Sequence, residues 1–211
     1  MTQRPVRTTS QQRSAARQQS LVDAAASLLI RLGPTAITHR RVAAEAGVPA
    51  GSANYYFPSK GVLFVEAVRR AEEIRSSSAA ELASAVPVRT RSAIETARLM
   101  IEIFFAPQLT SDVLTVRLEP MVAAHRDPEL RQIIADFRPL HLDAQRVVLR
   151  RSGHEAIADG PDVELLARMI ESSLLYAGQT GDADPIDAAS RSVARMIELA
   201  HHAAEIAGTD G

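Results

Sequence analysis

Residues 38–60 read THRRVAAEAGVPAGSANYYFPSK, and the fold is decided here. Thr38 has the character of a helix N-cap, because its hydroxyl can accept a backbone N–H one turn further on. A short helix follows to Ala46, and Gly47 sits where a left-handed residue ends such a helix without steric cost. Pro49 suits the first turn of a second helix, where its missing N–H forfeits no helical bond. That helix runs to about Tyr56. Two short helices joined by a tight glycine-containing turn make a helix-turn-helix, whose second helix enters the major groove of duplex DNA. Val42, Ala43, Ala46 and Val48 face inward in this reading, with Ala43 and Gly51 small enough for a close helix crossing. Thr38, His39, Arg40, Arg41, Ser52, Asn54, Tyr55 and Tyr56 are left near the outer face. Short side chains at Ala50 and Gly51 let the second helix come near the bases. Taken alone, Tyr55, Tyr56 and Phe57 read more often as core than as contact; Phe57 is assigned to the core and the two tyrosines to partial contact.

Upstream, Leu21, Ala25, Leu28, Leu29 and Leu32 form a helical stripe within a helix from Ser14 to Arg31, stopped by Gly33-Pro34. Residues 1–13 are expected to be a disordered basic arm, so residues 14–60 make the first domain. Downstream, Ser59 caps a long connecting helix (61–86) reaching about Ala85, and Pro87 marks the boundary of the second domain, 87–211. There the pattern predicts helices over Arg91–Ala106, Thr110–Arg126, Asp127–Arg151, Asp162–Ala177 and Pro185–Ala207, with a loop from Gly153 to Pro161. Pro120 and Pro139 are each expected to kink or break their helix, since proline removes one hydrogen bond and clashes with the preceding turn.

Composition agrees with an all-α protein. Apolar residues are 46% of the 211 but aromatic ones only 4%, and alanine, the best helix former, recurs throughout. Cysteine is absent, which excludes disulfides, thiolate metal sites and thiol catalysis. No apolar run approaches a membrane span, and the polar, Arg-rich start is no secretory signal, so a cytoplasmic location is expected. The net charge of −1 hides an asymmetry. Residues 1–60 carry eight basic and two acidic groups, net +6, whereas the remaining sixteen basic and twenty-three acidic groups give 61–211 a net −7. A basic front end suits a polyanion, although a solvated basic tail looks the same.

On these residues the chain resembles the TetR family of bacterial repressors, from about Leu21 to Val68. The likeness includes Asp23-Ala24-Ala25, Gly33, the run from Thr38 to Val48, and the closing Phe57-Pro58-Ser59-Lys60. Where the family usually has an apolar residue and then tyrosine, this chain has Ala53 and Asn54. The resemblance implies an N-terminal three-helix DNA-binding domain and a C-terminal helical domain for ligand binding and dimerisation. It places Arg40 at a base-reading position, where arginine engages guanine bidentately, and Thr38 and His39 against phosphate. Ala50, Gly51, Ser52 and Asn54 fall on the recognition helix, and Tyr55 and Tyr56 offer rings and hydroxyls. Lys60 lies at a helix N-terminus, a poor place for a cation unless a phosphate binds there.

In the second domain, the resemblance implies an inducer pocket from Met100, Phe104, Arg117, Met121, His125, Phe137, His141 and Tyr176, each of which singly also reads as core. A mostly apolar cleft with a few polar groups suits a small, largely hydrophobic ligand. The last two helices pair with those of a second copy in such proteins, making Leu166, Met169, Ile170, Ser173, Val193, Met196, Ile197 and Ala200 interface candidates; the alternative is that they are intramolecular core. No nucleophile elbow, zinc-protease, P-loop or dinucleotide motif occurs. His201 and His202 are adjacent and point to different faces, and Arg117 with Glu119 reads as a surface or pocket-edge pair. The expected partners are therefore operator DNA, a second copy of the chain and an unidentified small molecule, with no enzyme activity, cofactor, metal or membrane. An architectural DNA-binding protein without a ligand is the other class left open.

Overall fold

The computed structural model describes residues 9–107, 114–181 and 184–209, and among them there are helices and no strands. Helix α1 spans Thr9–Leu32. It begins at Thr9, not at Ser14, because the Gln-, Arg-, Ser- and Ala-rich stretch after Pro5 contains no breaker. The arm expected over residues 1–13 is therefore helical in its last part, and its first eight residues lie outside the described residues. Gly33, at φ 77, ends α1 with its N–H on the Leu29 carbonyl at 3.0 Å, and a 3₁₀ turn follows over Pro34–Ala36.

Helix α2 spans His39–Glu45, and Thr38 caps it from an extended conformation, its Oγ1 accepting the Arg41 N–H at 3.2 Å. Gly47 has φ 66, the conformation the turn requires, and α3 follows at Gly51–Tyr56. Leu21, Ala25 and Leu29 of α1, Val42 and Ala43 of α2, Ala53 of α3, Phe57 and Leu63 are fully or almost fully buried. Alanine at 43 and 53 keeps these short helices close. Burying Phe57 contributes about 1.5–3 kcal/mol relative to exposure. Gly51 takes no part in the crossing: a Cβ there would meet nothing within 4 Å. The room it leaves faces outward.

Helix α4, Lys60–Ala85, is capped by Ser59, whose Oγ accepts the Val62 N–H at 3.2 Å. The chain forms two compact units, Met1–Ala71 and Glu72–Gly211, and α4 contributes to both.

The second unit continues with α5 (Ala93–Phe104), a π-helical turn (Leu114–Leu118), α6 (Glu119–Ala123) and α7 (Pro128–Arg151), then α8 (Glu155–Asp159), α9 (Asp162–Thr180) and α10 (Pro185–Thr209). A reciprocal capping box, Ser92 with Glu95, starts α5. The buried Arg91 donates to the carbonyls of Pro87 and Arg151, tying the segment before α5 to the end of α7. The helix expected from Thr110 begins outside the described residues, and Pro120 falls in the first turn of α6, where proline is tolerated. Pro139 does not break α7. Asp127 caps that helix by accepting two N–H groups, and buried residues anchor it on both sides, Leu130 and Ile133 before and Val148 and Leu149 after. The loop expected over Gly153–Pro161 contains α8, held by the buried Ile157 and Ala158.

The core is built by Met100 and Ile101 of α5, Val148 and Leu149 of α7, Leu166 and Ile170 of α9, and Val193 and Ile197 of α10. Leu166, Ile170, Val193 and Ile197 are thus sealed inside one chain and cannot face a partner. Their helical stripe points to the core because the bundle uses the most apolar face for itself.

Candidate nucleic-acid interface and internal cavity

In the first unit, packing consumes one side of each short helix and leaves the other bare. Thr38, Arg40 and Arg41 of α2, Ala50, Gly51, Asn54 and Tyr55 around α3, and Lys60 at the start of α4 are exposed. Ser52, His39 and Tyr56 are half-buried. No ion pair engages Arg40, Arg41 or Lys60 among the described residues, whereas Arg31 is held by Glu45 at 2.5 Å. Exposed cations that no carboxylate engages are what phosphate contacts need.

Two of the candidates also serve the fold. His39 Nε2 lies 2.9 Å from the Phe57 carbonyl. A carbonyl only accepts, so that nitrogen carries the proton and pins the start of α2 to the end of α3. Tyr56 shares a hydrogen bond with Ser14 at 3.1 Å, and its ring stands edge-on to Tyr55 at 5.0 Å. Tyr55 is 81% exposed and so is free for contact.

The second unit contains a cluster that the sequence pattern hides. Glu72 and Arg75 on α4, Arg117 on the π turn and His141 on α7 converge. Glu72 Oε1 accepts from Arg75 Nη1 at 2.9 Å and from Arg117 Nη1 at 2.7 Å, and its Oε2 accepts from His141 Nε2 at 2.9 Å. Burial pushes the Glu72 carboxyl up, but Arg117, Arg75 and His141 outweigh it and hold the group well below the usual carboxylate range. Burial and the neighbouring Arg117 bring Arg75 down to about 10, so it stays protonated at neutral pH. Arg117, expected at a surface or pocket edge with Glu119, is instead buried, its guanidinium 4.8 Å from the centre of the Phe104 ring.

Glu72, Phe104, Arg117 and His141 line a small cavity of about 40 Å³, together with Met121, Ile134, Arg138, Leu142, Gln145, Ala167 and Glu171. Two buried polar atoms there lack a partner, Arg117 Nε and Gln145 Oε1. Leaving such a group unmatched costs about 1–3 kcal/mol. The orientation of Gln145 is fixed by its Nε2, which donates to the Met100 carbonyl at 3.0 Å. Burial raises the Glu171 carboxyl above its usual range, against the pull of Arg138 at 3.8 Å. Met121, Ile134 and Glu171 also line a wider groove of about 650 Å³ with Leu118, Val122, His125, Arg131, Arg168 and Leu175. The cavity and the groove meet at these three shared residues, and the cavity is the smaller of the two.

Of the expected pocket residues, Phe104, Arg117, Met121 and His141 meet in the cavity and His125 in the groove. Met100 is core and supplies only its carbonyl. Phe137 lines neither space, and Tyr176 is exposed in a cleft with Ser172, Ser173, Ala188 and Ser192. Glu72, Gln145 and Glu171 were not expected, since polar residues inside helices read as solvent-facing. His154 is another: it is buried, its Nε2 lies 2.9 Å from Thr96 Oγ1, and its Nδ1 lies 2.7 Å from Nε2 of His201. Among the described residues no three metal-ligating side chains come together, and no helix is long and apolar enough to cross a membrane.

A family model described as "Bacterial regulatory proteins, tetR family" matches residues 21–67. A second, "Tetracyclin repressor-like, C-terminal domain", matches residues 91–199, more than half the chain. The HTH-type transcriptional regulator BetI of Agrobacterium fabrum is 30% identical over 123 residues, a stretch covering 57% of this chain and 57% of that relative. The match thus spans little more than half the length of that curated relative. Among solved structures, the multidrug binding protein EbrR complexed with proflavin shares 26% identity at a TM-score of 0.58, covering 85% of this chain and 99% of that one. A member of the TetR family from Streptomyces coelicolor A3 shares 27% at a TM-score of 0.52, covering 85% and 97%.

Proposed function

The chain belongs to the tetR family of bacterial regulatory proteins, and from that membership we propose that it is a homodimeric transcriptional repressor. It reads a palindromic operator through α2 and α3 and leaves it when a small, largely apolar ligand enters the second unit. The observation that carries this reading is the bare outer face of α2 and α3, where unpaired cations and small side chains adjoin a core closed by Val42, Ala43, Ala53 and Phe57. Arg40 reads a guanine, Asn54 is placed to read an adenine, and Thr38, Arg41, Tyr55 and Lys60 hold phosphate. Ala50, Gly51 and Ser52 give the backbone access to the groove. His39 and Tyr56 position these contacts as much as they make them. The protein is then a binding module, not an enzyme.

One helix-turn-helix covers too few base pairs for selectivity, and a two-fold dimer matches two half-sites about 34–36 Å apart. With Leu166, Ile170, Val193 and Ile197 spent on the core, the partner-facing surface falls on the flanks beside them. On α9 these are Leu165, Met169, Ser173 and Tyr176, and on α10 Ser192, Met196, Leu199 and Ala200. Each lies three or four residues from another of its set, with Leu199 and Ala200 both one turn beyond Met196, which keeps each set on one side of its helix. Ligand binding is supported by the groove and the cavity that meets it, and by the likeness to a protein that binds proflavin. A ligand that draws Arg117 away from Glu72 acts on α4, the helix that leads back to Lys60.

Selection from randomised duplexes tests the reading. A palindromic sequence should emerge, bound with an affinity that falls steeply with salt. Arg40→Ala should cost about 1–3 kcal/mol and relax one base pair per half-site, while Lys60→Ala should weaken all sequences alike and reduce the salt slope by about one. Recovery of no preferred sequence, or an Arg40→Ala protein with unchanged preference, would remove operator reading from this face.

A further inference from the structure

The cavity lining contains an unmatched donor and an unmatched acceptor, and their chemistry constrains what can enter. Gln145 Oε1 can only accept. It cannot be exchanged for the amide nitrogen, because the Met100 carbonyl requires that nitrogen at 3.0 Å. Arg117 Nε can only donate, its Nη1 being occupied by Glu72 at 2.7 Å. Both atoms are cut off from solvent and have no partner. The surrounding charge is already arranged: Glu72 is held by Arg75, Arg117 and His141, and Arg138 lies beside Glu171. An added cation would face Arg117 and Arg138 of the lining, and an added carboxylate would put its oxygens against Gln145 Oε1.

Resting on the ligand-responsive reading above, we propose that the inducer carries an uncharged head that both donates and accepts, a primary carboxamide or an equivalent group, on an apolar body. The head enters the cavity and, with a shift of the side chains that cover these two atoms, gives an N–H to Gln145 Oε1 and takes one from Arg117 Nε. At about 40 Å³ the cavity has room for a head of a few atoms and no more. The body lies along Leu118, Val122, Ile134 and Leu175 in the groove of about 650 Å³. Gln145 is therefore the residue that sets specificity: it rejects a head without a donor, as a buried acceptor left unmatched rejects an analogue.

Four probes of one chain length separate the possibilities: octanamide, N,N-dimethyloctanamide, octanoate and octyltrimethylammonium, titrated calorimetrically into the full chain. Octanamide should bind tightest, and the dimethyl amide, which keeps the acceptor and lacks the donor, about tenfold or more weaker. In Gln145→Met, close in shape to glutamine, octanamide should fall to the level of the dimethyl amide, whose own affinity stays unchanged. Gln145→Leu serves as the second variant, and melting curves confirm that each is folded. Equal binding of the two amides, tighter binding of either charged probe, or no binding of any probe at millimolar concentration overturns the proposal. Release of the selected duplex by some other compound would in those cases leave the repressor reading standing, whereas a chain that selects no duplex fails that reading whatever the amides do.

Discussion

At Glu72 one carboxylate accepts hydrogen bonds from Arg75, Arg117 and His141, and its low folded pKa ties stability to pH. The folded value lies below the ordinary 4.5, so ionised Glu72 stabilises the native state above about pH 4.5. That contribution is lost as pH falls through the folded value. Glu72→Gln leaves two buried arginines without their counter-ion and should cost about 3–5 kcal/mol at pH 7. Its stability should also decline less between pH 4.5 and pH 3 than that of the parent, as followed by urea denaturation. Parallel acid limbs in the two proteins would show that another group supplies the acid sensitivity. Residues such as Thr38, Ser59 and Gly47 were legible in the sequence because capping is local chemistry, settled within a turn. Glu72 was not, because two of its three partners, Arg117 and His141, lie 45 and 69 residues away and nothing in the helical pattern marks a carboxylate as buried. Gln145 is hidden for the same reason.

Helices follow the same division between local and distant causes. The starts of α2 and α4 and the whole helix-turn-helix could be read from caps, glycines and spacing. The short α8 could not, since Ile157 and Ala158 hold it only through their burial. Pro139 reads as a break, yet α7 passes it because anchors lie on both sides. For α9 and α10 the sequence locates the apolar stripe but not which part of it meets the chain's own core. Val193 is fully buried, whereas Leu199 is 44% exposed on the adjoining flank. Val193→Arg should therefore abolish folding, and Leu199→Arg should yield a folded monomer. Light scattering together with circular dichroism distinguishes the two outcomes. A folded Leu199→Arg dimer would take that flank of α10 out of the interface.

For the whole molecule, the question is how an event in residues 72–211 reaches α2 and α3. Helix α4 contributes to both compact units, and Glu72 fastens it to Arg117 and His141 beside the cavity. On the proposed reading, a head group that takes up Arg117 competes with this fastening, so ligand-bound and operator-bound forms would need different settings of α4. The ligand can shift that balance only by its differential affinity for the two forms. A coupling of about 1–3 kcal/mol would weaken operator binding about 5–150-fold, and linkage requires operator to weaken the ligand by the same factor. Titration of octanamide, or of any compound found to release the selected duplex, with and without saturating duplex measures that factor directly. Glu72→Gln, if its melting curve shows it folded at the assay temperature, should bind both partners with the factor reduced towards one, because α4 is no longer fastened to the residue the ligand engages. Equal ligand affinity with and without duplex in the parent would rule out release by this route. A full factor in Glu72→Gln would move the coupling away from Glu72 to another contact of α4.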